Sequence, residues 1–298
     1  MHIPVLQKEV IEYLDPKPNQ NFIDATIGSG GHSFAILENN APEGKILGID
    51  WDEQQIKSLK LKIKSLGVED RITPVCENFA NLKEIVKKYN FQPVHGILFD
   101  LGMSSWHLEK SGRGFSFQKD EMLDMRYYIE NQKCLTAEKI INTWSEEEIK
   151  RILREYGEER FSNKIARMIV QTREKNAIKS TFQLVKIIEK AVPNWYQRRR
   201  IHFATKTFMA LRIAVNNELE NIKMGLNAAF EVLNENGRIV TLCFHSLEDR
   251  ICKNFFREKV RENKLEILTK KPVVPQETEI QKNIRARSAK LRAIIKIM

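Results

Sequence analysis

Over the first part of the chain, short apolar runs alternate with stretches of helical period. NFIDATI is followed by HSFAILENN, KILGID by EQQIKSLKLKIKSL and RITPVCEN by LKEIVKKY, and the series ends in VHGILFDLG. Brief runs rich in Ile, Val and Phe, each followed by apolar residues three and four apart, are the pattern of a parallel sheet covered by helices. After Gly102 the alternation gives way to helical segments: TAEKIINTW, SEEEIKRILREYG, NKIARMIVQTREK and STFQLVKIIEKAVP. Ser145 with Glu148, and Ser180 with Gln183, have the spacing of capping boxes. One long helical stretch is expected from Phe203 to Leu233; past the turn NENG, the strand pattern resumes in RIVTLCF, Arg238 to Phe244. Near the end, LEILTKKPVVPQ and SAKLRAIIKIM read as two strands joined by a polar loop, an antiparallel pair at the sheet edge. The expected fold is α/β: one sheet domain built from residues 1–105 and 211–298, with a helical domain inserted over 106–210.

Composition is consistent with this, since 298 residues, 42% of them hydrophobic, can bury a full core. The opening MHIPVLQKEVIEYL lacks the basic and apolar regions of a secretion signal, and Lys or Glu interrupts each later apolar run before it could span a membrane. A soluble cytoplasmic protein without a membrane partner is expected. Cys76, Cys134, Cys243 and Cys252 are scattered, and neither a C-x-x-C nor an H-x-x-x-H pair occurs, so no metal is expected. Lys and Arg number 49 against 39 Asp and Glu, a formal charge of +10. That excess suits a polyanion such as nucleic acid, and equally a merely lysine-rich surface.

The chemistry begins at FIDATIGSGGHS, Phe22 to Ser33. On an open parallel sheet a ligand sits at the carboxyl ends of the strands, so FIDATI delivers GSGGHS to the binding edge. Gly28, Gly30 and Gly31 let the loop turn tightly and a ligand lie against its backbone. Asp50 closes the next strand, at the offset where an acid binds ribose hydroxyls. Together they indicate an adenosine-containing cofactor. The dinucleotide fingerprint G-x-G-x-x-G requires a glycine where this chain has Ser33, and no Walker sequence G-x-x-x-x-G-K-[ST] occurs. S-adenosylmethionine remains, needing a glycine loop, a ribose acid and apolar walls for adenine. At the end of the fourth strand, FDLGMSSWHLE places Asp100 at the same edge, where it contacts the cofactor, the acceptor or both, or else caps a helix or forms a salt bridge. If the acceptor is an exocyclic base amine, a carboxylate taking a hydrogen bond from its N–H would turn the nitrogen toward nucleophilic geometry.

The blocks HIPVLQKEV, DATIGSGGHS, GIDWD, ENF, GILFDLGMSS, RGFSF, LDMR, YGEER, ATKTFMALRIAVNNEL, FHSLEDRICK and RARSAKLRA run in order from His2 to Ala293. In them the chain closely resembles the bacterial RsmH family, also known as MraW, which methylates N4 of a cytidine in small-subunit (16S) ribosomal RNA near the decoding centre. The resemblance implies a class I, Rossmann-like methyltransferase with a helical insertion, S-adenosyl-L-methionine as cofactor and small-subunit ribosomal RNA as partner. It places cofactor contacts on Gly30, Gly31, His32, Asp50, Phe79, Asp100 and His107. Ser29 stands where small or basic residues are usual in the family. Trp106 and His107 replace a Pro-Gln pair, and an imidazole cannot reproduce the hydrogen bonds of a glutamine amide.

Each candidate also has a plainer role. His32 could cap its helix or pack locally, Phe79 could be a core aromatic, and His245 in FHSLED could be structural instead of substrate-facing. For RNA, NWYQRRRIHFATK sets Trp and Tyr beside Arg198, Arg199 and Arg200, pairing aromatic faces for stacking with guanidinium groups for phosphate, unless it is an exposed charged helix start. Lys206 and Arg212 are further RNA candidates. An N4 amine is inaccessible inside a paired helix, so the target cytidine should be unpaired or flipped. A nicotinamide-dependent oxidoreductase and an inactive RNA-binding factor are the competing classes; Gly30, Asp50 and Asp100 together speak against the second, the missing glycine against the first.

Overall fold

The computed structural model describes residues 4–129 and 134–297, so His2 and Ile3 of the first motif lie outside the described residues. The chain divides into two compact units, the first Met1–Gly102 with Leu219–Met298 and the second Met103–Glu218. The expected break at 210/211 would cut a helix in two, and the observed division instead follows that helix.

In the first unit the chain order is α1 (Gln7–Leu14), β1 (Phe22–Asp24), α2 (Gly31–Asn39), β2 (Ile46–Asp50), α3 (Glu53–Leu66), β3 (Ile72–Cys76), α4 (Leu82–Lys88) and β4 (Gly96–Asp100). The second unit follows with α5 (Ser105–Glu109), α6 (Ala137–Thr143), α7 (Glu146–Glu155), α8 (Ser162–Arg173), α9 (Thr181–Ala191), α10 (Asn194–Gln197) and α11 (Thr205–Asn216). From α12 (Glu218–Val232) the chain returns to the first unit with β5 (Arg238–Cys243), α13 (Ser246–Arg261), β6 (Leu265–Ile267), α14 (Glu277–Lys282) and β7 (Lys290–Lys296).

Among the described residues the first unit carries one seven-stranded sheet in the order β3-β2-β1-β4-β5-β7-β6. β1 to β5 are parallel, whereas β7 runs antiparallel to both β5 and β6. β7 lies inside the sheet, so of the expected antiparallel pair only β6 is an edge. Strand residues alternate between faces, as a period of two requires. Ile23, Leu47, Ile97 and Ile239 pack with α4, α12 and α13, while Phe22, Ile46, Leu98 and Val240 pack with α1, α2 and α3. The first apolar run is strand for only three residues, because Asp24 turns the chain by accepting the Thr26 N–H at 3.2 Å. Asp52, fully buried, caps α3 by accepting from Gln54 and Gln55 N–H, a bond pair typically worth about 1 kcal/mol.

The second unit is helical around its own core, which includes Ile140, Ile149, Ile165, Leu184 and Phe208. Both expected capping boxes are formed, Ser145 with Glu148 and Ser180 with Gln183. The single helix expected from Phe203 to Leu233 is two, α11 and α12, parted by Asn217 in the left-handed conformation (φ 50°). The polar loop expected before β7 contains α14 and a 3-10 turn, Ile284–Ser288. No helix among the described residues is long and apolar enough to cross a membrane.

Candidate functional site

The order 3-2-1-4-5 reverses between β1 and β4, and the crevice outside the carboxyl ends of such strands is where open α/β sheets bind ligands. The loop after β1 is built there. Ile27 N–H donates to Ile49 O at 2.8 Å and Gly28 N–H to the Asp50 carboxylate (Oδ2) at 3.0 Å, tying the loop to the end of β2. Gly30 precedes α2 with φ 81°, where a side chain is strained, and a Cβ would stand 2.7 Å from the Phe34 ring. At Gly31 a Cβ would come within 2.5 Å of Pro4, so the N-terminal segment closes on this loop. Asp50 Oδ1 accepts the Asp52 N–H at 2.8 Å. The backbone thus fixes the orientation of the carboxylate.

Beside this loop a polar cluster joins β1 to β4. Thr26 Oγ1 accepts the Asp100 N–H at 2.7 Å, and Ser33 Oγ donates to Asp24 Oδ2 at 2.7 Å. Burial pushes the Asp24 carboxyl above the usual carboxylate range and Asp100 adds to that; the Ser33 hydroxyl, His32 and the Thr26 N–H pull it back. The Asp100 carboxylate accepts the Gly102 N–H on Oδ1 at 3.1 Å. His32 is 7% exposed, and neither ring nitrogen has a hydrogen-bond partner among the described residues. Its Nε2 lies 3.6 Å from Asp100 Oδ2, near enough for attraction and too long for a hydrogen bond. Buried polar atoms left unpaired are uncommon in folded proteins, and at a ligand edge they suit a bound polar group. The His32 side chain makes no cap bond, so of the plainer roles only local packing stands beside a ligand contact.

Asp24, Thr26 and Ser33 are not visible in the sequence as individual site residues. The acid within the apolar run FIDATI is their one signal there. Ser33, in the position of the dinucleotide fingerprint's third glycine, is buried and holds Asp24.

Phe79 opens a 3-10 turn just beyond β3, Phe79–Asn81, capped by Asn78 accepting the Ala80 N–H. It is half-buried and packs edge-on against Phe99, ring centroids 5.6 Å apart; a Cβ on Gly225 would reach its ring at 2.6 Å. Gly102 is similarly required, since a Cβ there would meet the Phe244 ring at 2.6 Å.

Gly30, Gly31, His32, Asp50, Phe79 and Asp100 therefore all belong to the first unit, at the carboxyl ends of β1 to β4. His245, also in the first unit, follows β5 and caps α13 by accepting the Glu248 N–H at 3.4 Å, while buried Glu248 accepts the Phe244 and His245 N–H groups. Its position is that of a structural cap.

The remaining candidates lie in the second unit. His107 is buried beside the rings of Phe115 and Tyr127, with centroids 5.0 and 4.9 Å away. Arg198, Arg199 and Arg200 are exposed at the end of α10, and Arg199 lies over the Tyr196 ring at 5.3 Å. Tyr196 is not available for stacking on a base: it is buried, and its hydroxyl donates to Glu159 at 2.8 Å. Burial and that carboxylate push its pKa well up. Trp195 is the more open aromatic, 53% exposed, with the Arg160 guanidinium over its ring at 5.6 Å. Lys206 donates to Glu158 O at 2.6 Å, and Arg212 makes a two-pronged ion pair with Glu218 at 2.8 and 2.9 Å, so both are engaged within the protein.

Comparison with known proteins bears on this arrangement. Ribosomal RNA small subunit methyltransferase H of Thermotoga neapolitana is 46% identical, over 98% of this chain and 95% of that protein. The protein of the same name from Carboxydothermus hydrogenoformans is 44% identical, over 99% of this chain and 98% of that one. A solved SAM-dependent O-methyltransferase from Thermotoga maritima, 11% identical, aligns over 100% of this chain and 68% of its own with a TM-score of 0.46. The pattern of the MraW methylase family matches residues 1–297. Spanning practically the whole sequence and joined to identities of this size, that match means the chain belongs to the MraW methylase family.

Proposed function

We propose that the chain methylates the exocyclic N4 amine of a cytidine in small-subunit (16S) ribosomal RNA, near the decoding centre, as a cytoplasmic enzyme. The observation that carries this is the pairing of two carboxylates at one sheet edge: Asp50, fixed to the glycine loop, and Asp100, across β1 from it. The donor set fits S-adenosylmethionine, the cofactor of this methylase fold. Asp50 is oriented for ribose hydroxyls, the loop backbone is open to close approach, and His32 has two buried ring nitrogens to offer the amino-acid part. When bound, S-adenosylmethionine supplies a methyl group on a positively charged sulfur.

The rest is the protein's own work. Asp100 is positioned to accept a hydrogen bond from the acceptor amine, turning its lone pair out of conjugation with the ring. Gly102 leaves room beside that carboxylate for the Phe244 ring, since a Cβ there would stand 2.6 Å from the ring and 3.0 Å from Asp100 Oδ1. Ordering donor and acceptor in line contributes much of what such sites achieve. Metal takes no part in this reading. The test offers radiolabelled S-adenosylmethionine to small subunits lacking the modification and maps the labelled nucleotide by mass spectrometry. Label on a cytidine N4 is the expected result; label on another atom or on no RNA overturns the reading.

RNA recognition falls to the exposed residues of the insertion, Trp195 and the three consecutive arginines. Each phosphate contact to single-stranded RNA contributes about −0.7 to the slope of log affinity against log salt. Changing Arg198, Arg199 and Arg200 to Gln together is expected to flatten that slope by about 1.4 to 2.1, for two or three lost contacts. Cofactor affinity should stay at the wild-type value, measured by calorimetry with circular dichroism confirming the helices. An unchanged slope would make QRRR a solvated face.

A further inference from the structure

The β5-β7-β6 end of the sheet brings a second set of basic side chains to the edge that holds Asp100. β7 is antiparallel to β5, with Lys290 opposite Cys243, so it begins where the parallel strands finish. β6 is antiparallel to β7, with Ile267 opposite Ile294, and therefore ends toward the same edge. Beyond it the chain is pinned beside the start of β7: Leu268 N–H donates to Ala293 O at 3.0 Å, and Val273 exchanges bonds with Leu291 at 3.0 and 2.8 Å. Between these anchors buried Thr269 accepts the Ala293 N–H, leaving Lys270 and Lys271 outside. On the other approach to β7, Lys282 ends α14 and Arg287 lies in the 3-10 turn.

The cations at this end fall into two sets. Arg292 and Lys290 are tied to Asp249 at 2.6 and 3.3 Å, and Lys296 donates to Phe230 O and Leu233 O. These hold the fold together. Lys270, Lys271, Lys282 and Arg287 are exposed and, among the described residues, have no ion pair or side-chain hydrogen bond. Of the nearby acids, Glu279 is engaged with the Leu6 N–H at 2.8 Å. Two large apolar side chains are also left in solvent within this segment, Val274 at 57% and Ile284 at 62% exposure. Four unneutralised cations drawn by chain topology to one edge, with apolar groups between them, make a surface suited to a polyanion carrying rings and sugars.

We propose that this edge of the first unit is a phosphate-binding surface for the RNA strand flanking the target base. It rests on the reading that the acceptor is RNA, and it adds a contact region separate from the arginines of the insertion. Lys270 and Lys271 lie beyond β5, on the side of Asp100 away from the glycine loop, whereas α14 with Lys282 stands beside Leu6, two residues from the Pro4 that closes on that loop.

The experiment changes Lys270, Lys271, Lys282 and Arg287 to Gln in the full chain. A control changes Lys8, Lys45, Lys60 and Lys64, also exposed, for the same loss of charge. Affinity for small-subunit RNA is measured over a salt series, and S-adenosylmethionine affinity by calorimetry. The slope should flatten by up to about 2.8 in the first variant, at about 0.7 per contact, and by less in the control. Its RNA KM should rise while the rate at saturating RNA and the cofactor affinity hold. An unchanged slope, or equal flattening in both variants, overturns the surface. Failure of the wild-type protein itself to bind or methylate ribosomal RNA would instead overturn the acceptor reading, so the two failures are distinct.

Discussion

Asp100→Asn is expected to lower the single-turnover methylation rate by about 10²- to 10⁴-fold, the range typical of a positioned acid or base, while RNA affinity is retained. The change is nearly isosteric. The Asp100 N–H keeps its bond to Thr26, and an amide oxygen can still accept the Gly102 N–H now held at 3.1 Å. What disappears is the second acceptor oxygen, 3.6 Å from His32 Nε2, replaced by a group that can only donate. An amine N–H directed at that point would meet another donor, so the loss should appear in the chemical step, with RNA binding and melting temperature preserved. Rapid-quench measurement at saturating cofactor and RNA is the direct check. A rate near wild type there would confine Asp100 to the cofactor or to the backbone of its own turn.

Much of the sheet is legible in the sequence because its signal is local. A strand buried on both faces shows as a short unbroken apolar run, as in Ile46–Asp50 and Gly96–Asp100, and the helices between carry their own punctuation in Asp52, Ser145 and Ser180. What is not legible depends on partners supplied by the fold. Arg212 has the look of a free cation because residues six apart on one continuous helix do not share a face. The reversal at Asn217 ends α11, and Arg212 and Glu218 then meet. His245 does not stand out as a helix cap since imidazole is not among the usual capping side chains, although Glu248 three residues later completes the box. Tyr196 and Trp195 are adjacent in sequence and opposite in exposure, which follows from Glu159, distant in the chain. At the candidate site the glycines and the two strand-end acids can be read from spacing. The Asp24, Thr26 and Ser33 links between β1, β4 and α2 cannot, because each looks like an ordinary polar residue until the strands are side by side.

Asp50→Ala is expected to weaken S-adenosylmethionine binding about ten- to hundredfold. Hydrogen bonds to a charged group are worth roughly 1.5 to 3 kcal/mol, and each 1.4 kcal/mol is a factor of ten. The geometry makes this residue do two things at once. In the proposed site its carboxylate takes the ribose hydroxyls, and in the structure it accepts the N–H groups of Gly28 and Asp52 at 3.0 and 2.8 Å, which fix the glycine loop and the start of α3. Alanine removes both roles, so some of the loss could come from a loosened loop. Asp50→Asn keeps one of the two backbone bonds on its amide oxygen and sets its NH2 against the other N–H donor, so it removes the charge and half of the anchoring together, and the ribose role has to be read from the ligand. The control is S-adenosylhomocysteine lacking the ribose 2′-hydroxyl. If Asp50 holds that hydroxyl, the wild-type protein should lose affinity for the deoxy compound and the variants should lose little more, a coupling that a merely structural acid would not produce. Calorimetry on folded Asp50→Ala showing wild-type affinity, or equal losses for the deoxy compound in every form of the protein, would remove Asp50 from the ribose site and leave it as the anchor of the glycine loop.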